Sequence, residues 1–330
     1  MAHTQDGPLL APARSGLGSW RGREWATAIL LAAILAVPLL AWWSGQKFYL
    51  DLSTRMVALT LAAVSLNLVL GYGGMISFGH AAFVGIGAYS VGILAFHGIG
   101  SGLLHFPLAI AVSALFALAT GAVCLRTRGV YFIMITMAFA QMAYYFFLSL
   151  EVYGGDDGLQ LDHRSSLPLL NLQEPLALFL FAYASLLAGL YLQHRIVNSR
   201  FGLVIQGAKD NDTRMRTLGY NTYAYRLVAY VISGAMAGYA GALLGNFTSY
   251  VSPAMMSWSR SGELLFMVIL GGAGSLFGPV FGAIGFLVLE EYLSTLTTYW
   301  QLPFGLLLIA AVLFAKGGVW GFLGRLGARS

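Results

Sequence analysis

Residues 67–92 read NLVLGYGGMISFGHAAFVGIGAYSVG, twenty-six residues with no Asp, Glu, Lys or Arg and with seven glycines. A glycine inside a helix costs about 1 kcal/mol relative to alanine. In a segment this apolar, so many glycines make sense where helix backbones approach closely or where a helix breaks at membrane depth. A break frees amides and carbonyls that lipid cannot satisfy, so it is tolerated only inside a bundle or around a cavity. Asn67, Ser77 and His80 are the side chains placed to partner such groups. Two readings of His80 stay open: a buried imidazole satisfied by its neighbours, and a contact for cargo or a proton. For the glycines, close helix packing alone is the plainer reading beside a transport path.

The flanking sequence has the same character. Of 330 residues, 58% are apolar and 9% charged, against about 45–50% and about 25% in soluble domains. Apolar runs recur that are long enough to cross a hydrocarbon core of about 30 Å as helices. They place spans near residues 25–43, 48–70, 76–96, 103–124, 130–149, 176–193 and 223–245, and a last run at 302–315. Between these last two lies 262–292, interrupted by Gly271-Gly272-Ala273-Gly274-Ser275 and Gly278-Pro279, which predicts two shortened helices. The fold class expected is all-α: a polytopic transmembrane helical bundle of about nine or ten spans with Gly-rich broken helices, its membrane domain covering residues 25–315. The one cysteine, Cys124, can form neither an intrachain disulfide nor a cysteine metal cluster.

Lys and Arg near span ends stay on the cytoplasmic side. With Arg14, Arg21 and Arg23 of an N-terminal tail (1–24) inside, alternate crossings bring Arg126 and Arg128 inside. Arg195, Arg200, Lys209, Arg214 and Arg216 follow, in a loop at 195–222. The acidic connection with Glu151, Asp156, Asp157, Asp162 and Glu174 falls outside. Lys316, Arg325 and Arg329 of a C-terminal tail (316–330) return inside only if 262–292 crosses twice or folds as a re-entrant hairpin. Both termini are therefore expected in the cytoplasm, and the first span is read as uncleaved.

Gly73–Gly79 and Gly271–Gly278 resemble one another, either as an internal repeat or as convergent helix packing. Asp51 and Arg55 stand four apart near the outer end of the second span and are expected to pair, with contact to a zwitterionic substrate as the alternative. Glu263 opens the broken region. Gly272-Ala273-Gly274 lacks the strand and helix of a dinucleotide loop, and no Gly-rich loop ends in Lys-Ser or Lys-Thr. Neither a catalytic constellation, a cofactor nor a nucleic-acid partner is expected, so an enzyme reading finds no support in these residues.

The run Asn67–Gly92 resembles the signature of the LivM/LivH family, the permeases of ABC transporters for branched-chain amino acids. Arg128-Gly129-Val130-Tyr131-Phe132 with Thr136 and Phe139, and Gly154-Gly155-Asp156-Asp157-Gly158-Leu159, are similar to the LivM branch. The similarity covers roughly residues 50–315. It implies a bacterial inner-membrane complex with a second, LivH-like permease subunit, two cytoplasmic ABC ATPase subunits and a periplasmic substrate-binding protein, all acting in the lipid bilayer. Residues 198–221, NSRFGLVIQGAKDNDTRMRTLGYN, resemble that family's ATPase-coupling loop, with Gly202, Asp210, Asn211, Asp212, Leu218, Gly219 and Asn221 in matching positions. Leu203 and Arg214-Met215 depart from the pattern, where the family has an Arg and a pair of alanines. The substrate path is expected to involve Asn67, Ser77, His80 and Gln141. Urea, short amides or aromatic compounds are alternative cargoes, and an ion-coupled secondary transporter is an alternative class. The scarcity of intramembrane carboxylates counts against the latter.

Overall fold

The computed structural model describes residues 17–161, 163–167, 171–314 and 318–321. Among the described residues, α-helices follow one another as α1 (Leu17–Trp43), α2 (Lys47–Asn67), α3 (His80–Phe96), α4 (Gly102–Cys124), α5 (Val130–Leu148), α6 (Pro175–Val197), α7 (Arg200–Asp210), α8 (Asp212–Thr217), α9 (Thr222–Thr248), α10 (Trp258–Gly271), α11 (Gly278–Leu296) and α12 (Gln301–Phe314). Two-residue strands β1 (Leu159–Gln160) and β2 (Tyr250–Val251) pair antiparallel. Among the described residues, six helical stretches are long and apolar enough to cross a membrane, and 27–43, 80–96 and 301–310 are shorter apolar helices.

Leu17–Glu24, expected in a polar tail, belong to α1. Residues 1–16, Asp162, Lys316, Arg325 and Arg329 lie outside the described residues.

Small residues determine the centre of the bundle. A Cβ on Gly87 would strike the backbone of Gly238, and one on Gly241 the carbonyl of Val84, so α3 and α9 lie backbone to backbone. The other side of α9 meets α4 in the same way, with Gly234 against Ala117 and Gly238 against Ser113. Such contacts replace the hydrophobic drive that lipid removes. Around this pair, α2 packs on both α6 and α9, and Phe83, Tyr89, Phe179 and Tyr230 are fully buried.

The connections sort onto two ends. At one, β1 pairs with β2, Ser101 bridges Ser166, and the His97 ring nitrogen lies 3.2 Å from the Tyr153 hydroxyl. At the other, 73–76, 125–129 and α7 line a common cavity, and the α10–α11 turn joins them through Gly71 and Gly274. The passage from β2 to that turn decides the parity of the chain. α10 has 14 residues, about 21 Å at 1.5 Å per residue, which is short of the ~30 Å core. The missing length is supplied by a 3-10 turn, Pro253–Met256, whose Met256 is fully buried against Gly85 of α3. Turn and helix together traverse the bundle, and α11, 19 residues long, then returns.

Candidate functional site

The two Gly-rich segments meet. α2 ends in one π-helical turn, Leu68–Tyr72, a local widening that recurs at functional positions. Beyond it Gly74 takes φ +67°, open to glycine at little cost. The α10–α11 turn lies against this end: a Cβ on Gly71 would collide with the Gly274 amide. Asn67, fully buried, holds the junction with both ends of its amide. Its Oδ1 accepts from Gly274 N at 2.9 Å and its Nδ2 donates to Ser275 O at 2.9 Å. Ser275 Oγ donates to Gly272 O and accepts from Gly278 N, closing the turn. Lys209 of α7 donates from Nζ to Gly71 O at 2.7 Å, and Gly74 leaves room for its stem. The Gly71 carbonyl freed at this broken end of α2 thus has a side-chain partner 138 residues away, while Asn67 serves the backbone of the turn that lies against it.

The second break lies inside the bundle, before α3. No residue caps this helix in the ordinary way, and its first amides are met by three hydroxyls. Phe78 N donates to Thr136 Oγ1 (3.3 Å), Gly79 N to Ser77 Oγ (3.3 Å) and Ala81 N to Ser261 Oγ (3.0 Å). The orphan donors of a buried helix start demand such partners. His80 is wholly enclosed, with Nε2 2.9 Å from Ser65 Oγ and 3.5 Å from Ser233 Oγ, and it stands edge-on to Phe83. Its Nδ1 has no hydrogen-bond partner. Gln141 is half-buried, about one and a half turns beyond Thr136 on α5. Asn67, Ser77 and His80 therefore sit at the two breaks, and Gln141 stands apart from them along α5.

The residues that resemble a coupling loop build a compact elbow. Ser199 caps α7 by accepting from Gly202 N, and a Cβ on Gly202 would collide with the carbonyls of Ile196 and Val197. Asp210 ends α7, Asn211 caps α8 through Arg214 N (2.9 Å), and Asn221 caps α9 through Ala224 N (3.3 Å). Gly219, at φ +88°, turns the chain between α8 and α9. Asp212 is the electrostatic centre: it pairs with Arg128, with Arg216 Nε at 3.0 Å and with Arg226 Nη2 at 3.5 Å. Burial pushes its carboxyl up, but a hydrogen bond to Thr222 and the charges of Arg226 and Arg128 outweigh burial and hold it below the usual carboxylate value. Arg226 also donates to Ala208 O at 2.9 Å, fixing α9 to α7. Leu203, Leu218 and Tyr220 remain exposed on the outside of this elbow.

The intramembrane pair differs from expectation. Arg55 pairs with Glu290 of α11 at 3.3 Å, not with Asp51 one turn away, and Asp51 is exposed. The neighbouring helix face offers Arg55 a half-buried carboxylate, where an ion pair gains more than at an exposed end. Sequence reasoning marked Lys209 only for topology and Thr136 only by resemblance, and it missed Ser261 and Glu290 altogether, because the partners of all four come from distant segments.

The chain matches the family described as branched-chain amino acid transport system / permease component over residues 48–315. It is 26% identical to the high-affinity branched-chain amino acid transport system permease protein LivM of Salmonella typhimurium over 88% of this chain and 74% of the relative, and equally to LivM of Escherichia coli. A probable branched-chain amino acid transport permease protein LivH of Methanocaldococcus jannaschii is 29% identical over 43% of this chain and 46% of its own. No solved structure matches. With a family match that spans both broken helices and the elbow at 200–221, this multi-pass helical membrane protein belongs to the branched-chain amino acid transport system permease family.

Proposed function

We propose that the chain is one of two permease subunits of an ATP-driven importer in the bacterial inner membrane. It pairs with a LivH-like subunit, is driven by two cytoplasmic ABC ATPase subunits, and passes on branched-chain or related amino acids delivered by a periplasmic binding protein. The observation that carries this reading is the latch of Lys209 on Gly71. The α7–α8 elbow is stiffened by Asp212, carries exposed apolar side chains for a soluble partner, and is bonded directly to the junction of two broken helices. Movement imposed on the elbow would be delivered to that junction. Gly202, Asp210, Asn211, Asp212, Gly219 and Asn221 shape the lever, and Leu218 is its docking tip. Asn67, Ser77 and His80 serve the path from behind its wall by holding the breaks, and Gln141 acts farther along α5.

The elbow end is then cytoplasmic, with both termini on that side. The cargo follows from the likeness to LivM proteins. A second cargo reading has a specific observation behind it: a Lactococcus lactis nucleoside ABC transporter permease protein, NupC, is 32% identical over 23% of this chain and 29% of its own.

The test is uptake and ATPase activity of the co-purified complex in liposomes, with its binding protein, across amino acids, nucleosides, urea and amides. Stimulation and uptake with leucine, isoleucine or valine are expected. Stimulation by another class alone would replace the cargo, and gradient-driven uptake without any ATPase would refute the mechanism.

A further inference from the structure

A cavity of about 210 Å³ opens between α2, α3, α9 and α10, away from the glycine junction. Its walls divide by chemistry. Leu59, Val84, Leu244, Leu264 and Met267 supply apolar surface, while Arg55, Arg260 and Glu263 supply charge. Arg260 Nη1 lies 2.7 Å from Glu263 Oε2, and Arg55 is held by Glu290. Two cations and one anion thus border one small apolar chamber, and Glu290, behind its wall, supplies the second anion by pairing with Arg55, so the four groups together carry no net charge.

Depth makes this arrangement notable. Arg55 is eight residues into α2, about 12 Å along its axis, where a charge is expensive and marks a pathway more often than a scaffold. The three lining charges are also exchangeable. Arg55 and Arg260 keep 33% and 50% of their side-chain surface exposed, and Glu263 36%. A guanidinium has five N–H donors and a carboxylate about four lone-pair sites, so one existing partner leaves room for a second.

We propose that this cavity is the resting place of the zwitterion during passage. Its carboxylate lies against Arg55 and Arg260, its ammonium against Glu263, and its aliphatic side chain on Val84, Leu59 and Met267. The assignment rests on the importer reading above and sharpens its cargo. A balanced set of separated charges matches a molecule that is neutral overall but charged at both ends. Urea and simple amides have no such ends, and a net anion or cation would leave one pair of partners uncompensated.

The experiment uses the full complex with its ATPases and binding protein in liposomes, and labelled leucine, normalised to the amount of assembled complex. Glu263→Gln keeps the shape and removes the ammonium's partner, so uptake at saturating binding protein is expected to fall by about tenfold, the scale of one charged hydrogen bond. Val84→Phe fills the chamber and is expected to abolish uptake. A diazirine analogue of leucine should label the α10 peptide in the wild type and lose that label in Val84→Phe. Wild-type uptake in both variants, or labelling that spares α10, would overturn the site while leaving the importer reading intact. A wild-type complex that carries no leucine would overturn the cargo and this site with it.

Discussion

Asn67 shows how one residue can hold a membrane fold's weakest point. Its amide is the partner of two backbone groups on a turn 207 and 208 residues away. Asn67→Ala leaves the Gly274 amide and the Ser275 carbonyl without it, and a buried unsatisfied group costs about 1–3 kcal/mol. A lower melting temperature of the purified complex in detergent is the expected outcome. Gly71→Val should be worse, since its Cβ would collide with the Gly274 backbone, which cannot rotate away as a side chain can. Lys209→Met is the functional counterpart: it keeps the stem beside Gly74 and deletes the donor to Gly71 O. ATP hydrolysis should then continue while leucine moved per ATP falls. A ratio equal to wild type would show that the latch carries no force. The polarity of Asn67, Ser77 and His80 in an apolar run was legible from sequence, since such residues at membrane depth need partners. The partners were not, because periodicity and spacing report only neighbours within a few turns, whereas Arg55 and Glu290 stand 235 positions apart.

At the scale of elements, the elbow from α7 to α9 was legible through its resemblance to a family motif, and the structure gives that motif local physical content. Asn211 and Asn221 are N-cap residues in the positions where they cap, and Gly219 is a glycine where the chain needs φ +88°. A β-carbon in that conformation costs roughly 1–2 kcal/mol. Gly219→Ala should therefore loosen the turn and weaken co-purification of the ATPase while the subunit still inserts. Leu218→Asp attacks the tip instead: with 65% of Leu218 exposed, its loss should weaken ATPase attachment without lowering the melting temperature. The three-arginine cluster on Asp212 was not readable, since Arg128 comes from another connection. It has a pH signature. The Asp212 carboxyl is held below its ordinary value of 3.8 by Thr222, Arg226 and Arg128, so its stabilisation is fully present above about 3.8 and is lost as pH falls through the lower folded value. Attachment should thus be flat in pH from 5 to 8 in wild type as far as this group is concerned. Asp212→Asn should weaken attachment at every pH in that range, and a deficit confined to the acidic end would contradict the assignment.

For the whole molecule, the question is how often the chain crosses, and length alone does not answer it. The long spans were legible to within a few residues: 103–124 was expected where α4 covers 102–124, and 130–149 where α5 covers 130–148. The broken ones were not, because α3 starts only at residue 80 and α10 ends after 14 residues. A short helix, taken singly, reads as a dip that leaves the chain on the side it entered. The geometry argues otherwise, since β2 is tied to β1 at one end while Gly274 meets Gly71 at the other. The 3-10 turn at 253–256 is buried in protein, where irregular backbone at membrane depth is permitted. The consequence can be read with single cysteines in a Cys124→Ala background and a maleimide that cannot enter membranes. Val130, Val152, Leu218 and Tyr299 are each well exposed. Cysteines at 130 and 218 should label from one side of the membrane, and those at 152 and 299 from the other. Labelling of 299 together with 218 would mean that α10 turns back before crossing. The Lys209 latch would then have no path by which to move the far half of the bundle.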